Sequence, residues 1–407
     1  MDDLWPHGRR LWIIVLGLFF LPTVTAQLGE KDFLAKIGAG SWSPEEVSAL
    51  QRGEVVVRPI ETAQKFELAT IGILRMKDLP PISIDRFRES LSQRSSEAMK
   101  AGGRFSDPPT EADLDELKLD ADTIDQLQKC NPGKCDLNLS AKMIVRFQTE
   151  IDWTSPEAGA DATRLFKQMI VNHARDYLAR GDSSLGAYDN RRKTVNLAES
   201  HRSLLSSSSL INGLAPEFIK YLQQFPVGDL ENAENSMHWS VVDFGLKPSI
   251  TVSHTVAYSQ VRAENMQLFV ASKQIYSSRY LDSSVTFTLL LRVATDAGQD
   301  AYLVFVDRSR SDALEGRLGH FAKTLVQKES VERIKTMLDK AHQRLLVNRE
   351  PPPLIDPDPD RIENSWVATA SRSRSVLIAG IIVIIAIASL LFRRRSKRKR
   401  FRRADVG

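Results

Sequence analysis

Four residues of the types that catalyse hydrolysis fall on two neighbouring predicted strands. They are His238, Asp243, Ser253 and His254. A serine nucleophile, a histidine base and an aspartate that orients it form the triad of many hydrolases. Side chains alternate between the faces of a strand, however, so Ser253 and His254 must point in opposite directions. We therefore favour one inward and one solvated residue on each strand, and keep His238 and His254 as the candidate residues of a hydrolase.

Other sequence motifs for catalysis or metal binding are absent or incomplete. The chain has no HExxH, GxSxG, P-loop or GxGxxG motif, so we assign no catalytic, cofactor-binding or metal-binding residue. Gly181–Ser184 (GDSS) is similar to the start of a GDSL-type esterase block, but it follows a predicted helix, and we interpret it as a helix end. Residues 356–360 (DPDPD) could bind calcium, although we favour a solvated stalk. Residues 307–310 (DRSR) are interpreted as a turn between a strand and a helix.

The two cysteines are predicted to form a structural disulfide. Cys130 and Cys135 enclose the residues Asn-Pro-Gly-Lys, and Pro132-Gly133 suits the centre of a type II turn that brings the thiols together. An oxidising compartment would let them pair. A redox site would more typically have the spacing CxxC, and a zinc site would need two further ligands that no nearby histidine offers.

The two ends of the chain predict export and a membrane anchor. Residues 1–26 combine two arginines, an apolar run and a small-residue site ending at Ala26, which is typical of a signal peptide of the Sec type. Residues 375–392 are uncharged and predict one transmembrane helix, and the basic residues of 393–407 predict a cytoplasmic tail. We therefore expect a single-pass protein of the inner membrane, with its large domain on the periplasmic or extracytoplasmic side.

Charge is distributed unevenly along the chain. The whole chain carries +4, residues 1–26 sum to zero, and residues 371–407 carry +10, which leaves 4 − 10 = −6 for residues 27–370. We expect the basic tail to contact anionic lipid and the acidic domain to bind no nucleic acid. Two alternatives for the terminal segment stay open, a nucleic-acid-binding arm and a sorting signal cut by a transpeptidase, although no LPxTG-like motif precedes it.

The hydrophobic pattern between the ends predicts one α+β domain over residues 27–348. Residues 80–230 have mainly helical periodicity, and residues 235–348 predict an antiparallel sheet of about five strands followed by one long helix. The five strands are expected at 237–244, 249–258, 266–276, 284–293 and 301–307, the helix at 311–347, and two earlier strands at 54–59 and 66–76. A linker rich in Pro and Asp, 349–374, joins this domain to the predicted transmembrane helix.

This order of elements resembles the helix-grip fold of START-like and polyketide-cyclase-like proteins. In that fold a curved sheet grips one long terminal helix around an apolar cavity. The resemblance covers residues 54–60 and 237–347 and is one of topology, whereas residues 80–230 are longer and more helical than a minimal helix-grip domain. It implies a pocket for a lipid or another apolar molecule between the sheet and the helix. The chain is also similar to membrane-anchored bacterial proteins without an assigned activity.

The resulting hypothesis is a membrane-anchored extracytoplasmic protein that binds an apolar small molecule or a lipid. The alternatives are a protein-interaction or structural module of the cell envelope and a hydrolase that uses His238 or His254. Whether the chain is an enzyme stays open, and binding is favoured over catalysis. The expected partners are membrane lipid and either an apolar ligand or a protein, and no cofactor and no nucleic acid is expected.

Overall fold

The computed structural model describes most of the chain between Gly29 and Leu346. The described residues are 29–37, 42–64, 66–77, 79–91, 99–191, 193–243, 247–262, 265–296, 298–311, 314 and 319–346, without the side chains of 262, 265, 319–322 and 325. The predicted signal peptide, linker, transmembrane helix and basic tail (1–26, 349–374, 375–392 and 393–407) lie outside these residues.

No helix in the described part of the chain is both long enough and apolar enough to cross a bilayer. The longest described helix, Gly319–Leu346, has 28 residues and carries charged side chains along its length. The sequence-based fold class, which included a single transmembrane helix, is corrected on this point. The same finding stands against the predicted localisation as a single-pass inner-membrane protein, and we do not carry that localisation further.

Ten α-helices are described, and capping side chains define the beginnings of several of them. Ser43 closes a capping box with Glu46, and the side chains of Ser83, Asp120 and Ser140 each accept a hydrogen bond from the first turn of the helix they precede. The helices are α1 Glu30–Lys36, α2 Pro44–Gln51, α3 Ile84–Ser90, α4 Ala121–Lys129, α5 Ala141–Glu150, α6 Ala158–Arg180, α7 Leu197–Ser206, α8 Ser209–Leu214, α9 Pro216–Gln224 and α10 Gly319–Leu346.

Eight of the ten described strands form one antiparallel sheet in the order β1-β2-β10-β9-β8-β7-β6-β3. The strands are β1 Val56–Pro59, β2 Glu67–Met76, β3 Met99–Arg104, β4 Ala187–Tyr188, β5 Val195–Asn196, β6 Ala233–Val242, β7 Ser249–Arg262, β8 Asn265–Ser277, β9 Ser283–Thr295 and β10 Gly298–Arg310. Strands β4 and β5 form a separate pair. The expectation of about five strands was therefore wrong, because β1 and β2 join the meander along β10 and β3 joins it along β6.

Two errors in the strand predictions have local physical reasons. The sequence Met-Lys-Ala-Gly-Gly-Arg of β3 has no alternation of apolar and polar residues, and it forms a strand only through its pairing with β6. Gly102 and Gly103 are required there, because a Cβ would lie 2.9 Å from the carbonyl oxygen of Trp239 at the first and 2.8 Å from its indole nitrogen at the second. Strand β10 continues to Arg310, so residues 307–310 are strand and not a turn.

The two faces of the sheet are covered by different helices. We call the side that carries Val252, Val256, Phe287 and Val304 the inner face, because these residues belong to two apolar clusters built with helices α1, α2 and α4 to α9. We call the other side the outer face. There Leu303 and its neighbours pack against α3 and α10 in a third, smaller cluster.

Helix α10 lies directly on the outer face. Gly72 of β2 has no side chain, and a Cβ there would lie 2.6 Å from Cδ1 of Leu338 and 2.7 Å from Cγ2 of Ile334. Leu338 and Ala341 are buried in the same contact. The C-terminal part of α10 therefore leaves no room for a ligand between itself and the strands beneath it.

We expect Gly72→Ala to lower the free energy of unfolding by about 1–3 kcal/mol, because the added methyl group must displace two packed side chains. Thermal or urea denaturation measures this loss. Gly213→Ala is the matched control, since a Cβ at Gly213 meets nothing within 4 Å, and it should leave stability unchanged or slightly higher. An equal effect of the two substitutions would contradict the close packing of α10 on the sheet.

Candidate functional site

His254 belongs to a hydrogen-bonded network on the inner face. Its Nδ1 lies 3.0 Å from the hydroxyl of Tyr177, and its Nε2 lies 2.9 Å from Oδ1 of Asn235. The Asn235 amide donates in turn to the hydroxyl of Tyr221 at 2.7 Å. Asn235 Oδ1 can only accept, so the proton of a neutral His254 is on Nε2 and the Tyr177 hydroxyl donates to Nδ1. Burial, with Lys273 nearby, lowers the pKa of His254 to about 3.

Lys273 is a fully buried cation beside His254. It lies opposite His254 in the pairing of β7 with β8, and none of its side chain is exposed. Its ammonium group forms an ion pair with Asp182, whose side chain is 20% exposed, and lies 5.6 Å from the centre of the Tyr177 ring. Burial lowers the pKa of Lys273, and Asp182 opposes that shift.

The Gly181–Ser184 segment presents Asp182 to this lysine. It forms one turn of 3-10 helix after α6, so the interpretation of GDSS as a helix end agrees with the structure. Gly181 has φ of +59°, and a Cβ there would lie 1.9 Å from the carbonyl oxygen of Phe225, so only glycine fits. Ser183 and Ser184 each donate to a carbonyl oxygen within or just before the turn, at 2.7 and 2.8 Å. Neither serine is arranged as a nucleophile.

The network separates the two apolar clusters of the inner face. Along β7, His254 lies between Val252 of the first cluster and Val256 of the second. Lys273 has the same position on β8, between Ile275 and Ala271. His201 of α7 is buried nearby, and burial together with Lys273 lowers its pKa well below the usual range. All three side chains are buried, so none of them is presented at the surface of the protein.

We expect Asp182→Asn to lower the free energy of unfolding by roughly 2–4 kcal/mol, because it leaves the ammonium group of Lys273 buried without its counter-ion. The double variant Lys273→Met/Asp182→Asn should recover most of that loss. Urea denaturation of the single and double variants measures both effects.

The control for that experiment is Asp176→Asn, which removes a surface ion pair with Arg180 whose side chains are both 57% exposed. A loss below about 1 kcal/mol is expected for it. If the double variant is no more stable than Asp182→Asn, the unpaired ammonium group of Lys273 is not the cause of the lost stability.

His238 lies on the outer face, away from the sealed network. It is opposite Ser253, whereas His254 is opposite Met237, so the two candidate histidines point to different sides of the sheet. Asp243 lies 3.9 Å from the ammonium group of Lys100. The structure therefore does not assemble the four candidate hydrolase residues. It does bring Oγ of Ser236 within 3.0 Å of Nε2 of His238.

Two rows of polar side chains cross the outer face beside His238. Residues directly opposite each other on neighbouring strands make up each row, and we call them together the polar rows. The first row is Thr70, Asp307, Thr286, Ser272, Thr255 and Ser236, on β2, β10, β9, β8, β7 and β6. The second is Ser309, Ser284, Gln274, Ser253, His238 and Arg104, on β10, β9, β8, β7, β6 and β3.

Several residues of the polar rows are partly exposed, whereas Thr70, Gln274, Ser284 and Ser309 are buried. On β7 and β8, Thr255 and Ser272 are partly exposed, whereas His254 and Lys273, which point the other way, are at most 1% exposed. Thr286 on β9 is also partly exposed, next to the buried Val285. A regular array of hydroxyl groups on a rigid sheet is thus accessible over several neighbouring strands.

Asp307 is the one carboxylate in the polar rows. It lies between Thr70 and Thr286 and is partly exposed, but the protein around it is dense, and burial raises its pKa to about 7. The next residue, Arg308, points to the inner face and forms a buried ion pair with Glu67 at 2.6 Å. Arg308 therefore forms its ion pair with Glu67, and its charge opposes the shift of the Asp307 pKa without reversing it.

The predicted disulfide is confirmed. Cys130 and Cys135 are bonded, with their Cα atoms 4.5 Å apart. Gly133 has φ of +76°, as a type II turn requires. Its amide donates to the carbonyl oxygen of Asp189 and the Cys135 amide to that of Asn190, at 2.7 and 2.9 Å. The loop is thus fastened to the segment before β5 and has a structural position.

Among the described residues, no group of three or more His, Cys, Asp or Glu side chains could hold a metal ion. The candidate calcium segment 356–360 lies outside those residues. The apolar pocket implied by the helix-grip resemblance is not found along the described side chains of α10, which pack against the sheet at Gly72.

Sequence reasoning missed the residues that organise both faces. Lys273 occupies an inward position of β8, in step with Phe269 and Ala271, and a lone lysine in an apolar alternation is a signal of a buried ion pair. The polar rows were detectable only in part. Alternate Ser and Thr positions are visible in each strand, but the pairing register that aligns them across the sheet is not visible in the sequence.

No protein-family model and no curated protein matches this chain.

Proposed function

We propose that this chain is a binding protein whose ligand occupies the polar rows on the outer face of the sheet. One observation carries the proposal: the strands β7 to β9 are sealed on the inner face but keep partly exposed hydroxyl groups on the outer face. Folding alone does not require hydroxyl groups at these positions, since a surface strand accepts many polar residues.

The side chains of the polar rows favour a ligand rich in hydrogen-bonding groups. Serine and threonine hydroxyls each donate one hydrogen bond and accept others, so an ordered array of them can match hydroxyl, amino or carbonyl groups of a ligand. Short side chains on a sheet also lose little conformational entropy when they bind. The proposed ligand is therefore a polar small molecule.

This proposal differs from the apolar ligand or lipid favoured by the sequence. The close contact of Ile334 and Leu338 with Gly72 speaks against a cavity under the C-terminal part of α10. The apolar ligand, the helix-grip resemblance and the protein-interaction module stay as hypotheses, and each has a distinct outcome in the experiment that follows.

We expect Thr255→Trp to remove a ligand that the wild-type protein retains, because an indole ring between Ser272 and Ser236 covers neighbouring hydroxyl groups of the first row. Native mass spectrometry of the full chain, purified without detergent, detects the ligand as a discrete extra mass. We expect the wild type to carry a water-soluble small molecule, and the variant to lose it while remaining folded.

Thr149→Trp is the matched control, since Thr149 is exposed on α5 on the opposite side of the molecule. It should retain the ligand. An extra mass that extracts into organic solvent would support the apolar ligand instead, a co-purifying protein would support the interaction module, and a ligand that survives Thr255→Trp would place the site elsewhere.

A second candidate function, hydrolysis, is favoured by the pair formed by Ser236 and His238. Their 3.0 Å contact is the geometry in which a histidine can take the proton of a serine nucleophile. Both residues are partly exposed, unlike His254, whose two ring nitrogens are already engaged. An oxyanion-stabilising group beside Ser236 is not evident among the described residues, so this candidate ranks second.

A fluorophosphonate probe tests this pair directly. If His238 activates Ser236, the serine oxygen attacks phosphorus, fluoride leaves, the histidine takes the proton, and the probe stays bound to Ser236. We expect Ser236→Ala to abolish such labelling, His238→Gln to reduce it at least tenfold, and Ser253→Ala to leave it unchanged. A wild-type protein that is not labelled would remove the hydrolase candidate at this site.

A further inference from the structure

We propose that the ligand of the polar rows is a small organic molecule with a protonated amino group, which Asp307 binds, and a hydrogen-bond acceptor, which Gln274 binds. This inference rests on the proposed function and names the ligand's chemistry. It is carried by two polar groups of the same face that the described protein leaves without partners.

The first group is the carboxylate of Asp307. None of the described side chains forms an ion pair or a hydrogen bond with it, and the neighbouring Arg308 is engaged with Glu67 on the inner face. An ionised carboxylate that is largely desolvated and unpaired is costly to the folded state. The raised pKa of Asp307 is the expected consequence. A bound cation would offset that cost, and this favours a positively charged ligand group over a neutral one.

The second group is the side-chain amide of Gln274. Gln274 is only 9% exposed, and its Nε2 has no hydrogen-bond partner in the described protein. It lies on the outer face, opposite Ser253 and Ser284. An amide buried without a partner costs roughly 1–3 kcal/mol in a folded protein. A ligand that presents a carbonyl, carboxylate or hydroxyl oxygen to Nε2 would remove that cost.

The spacing of the two groups sets the size of the ligand. Asp307 and Gln274 are separated by one intervening strand and by two residues along the strand direction. Strand spacing and rise place their Cα atoms roughly 12 Å apart, and both side chains shorten the gap. The hydroxyls of Thr286 and Ser284 lie on the strand between them. A molecule about the size of an amino alcohol, an amino acid or an amino sugar can span this distance.

An amine suits these side chains better than a metal ion. Calcium takes six to eight oxygen ligands, usually from several carboxylates, and magnesium demands an octahedral set. The polar rows offer a single carboxylate among hydroxyl groups. A primary ammonium group needs up to three acceptors, which one carboxylate and the neighbouring threonine hydroxyls can supply.

Two pairs of probes, in each of which one amino group replaces one hydroxyl group, test the inference on the full chain. Ethanolamine is compared with ethylene glycol, and glucosamine with glucose, by NMR titration of protein labelled with carbon-13 at aspartate and threonine. We expect saturable shifts at Asp307 and Thr286 with the amines and at least tenfold weaker binding of the neutral analogues. We also expect the amines to lower the pKa of the Asp307 carboxyl group.

The variants separate this inference from the proposed function. Asp307→Asn should abolish the preference for amines, and Gln274→Met should weaken glucosamine binding at least fivefold, while Asp243→Asn, a control carboxylate at the end of β6, should change neither. Equal binding of amines and neutral analogues, or a preference that survives Asp307→Asn, would overturn the inference and leave the polar rows as a site for neutral ligands. No saturable shift with either amine would also overturn it, and the Thr255→Trp experiment would still decide whether the rows bind any ligand.

Discussion

The buried ion pair between Lys273 and Asp182 is the constraint on which the arrangement of the inner face depends. A fully buried lysine must have a counter-ion, so the turn after α6 has to deliver Asp182 to a defined point above β8. That requirement fixes the end of α6, and the contact of Gly181 with the Phe225 carbonyl fixes the segment after α9 against the same turn. The ion pair thereby places α6 relative to the sheet, and the contact at Gly181 places the end of α9 against α6.

The sealed network also explains why the inner face can be both large and unique in its packing. Two apolar clusters that met directly could slide against each other with little change in buried area, since the hydrophobic effect has no direction. The hydrogen bonds of His254 and the ion pair of Lys273 have strict geometry, and they lie where the clusters meet. A fixed inner face in turn holds β7, β8 and β9 in one register, and this register aligns the hydroxyl groups of the outer face. The buried network on the inner face thus stabilises the strand register that aligns the polar rows on the outer face of the same sheet.

The sequence predicted those elements whose pattern is local, and missed those that depend on distant partners. The strands β6 to β10 alternate clearly, and helices such as α2 begin with a strong capping sequence. Strand β3 and the assignment of β1 and β2 to the same sheet depend on pairings over long sequence distances, which periodicity does not encode. His238 and His254 were found from residue type, but only the pairing register shows that they belong to different faces.

A binding site on the face of a sheet depends on the pairing register of the strands. Each strand contributes one polar residue to a row, and no single strand has a recognisable motif. The site then exists only when seven strands are paired in this register, since a shift by one residue would exchange the polar rows for the apolar inner face. A bulge in β8 shifts the pairing with β7 between Ser253, which is opposite Gln274, and Val252, which is opposite Tyr276. Gln274 precedes this shift and lies on the outer face by regular alternation with Lys273, opposite Ser284. The unpartnered amide and the unpartnered carboxylate are then held on one rigid surface, and neither can move to satisfy the other. Such fixed, unsatisfied groups are costly to folding and useful to binding, because a ligand that fits them gains the stabilisation that the protein alone lacks.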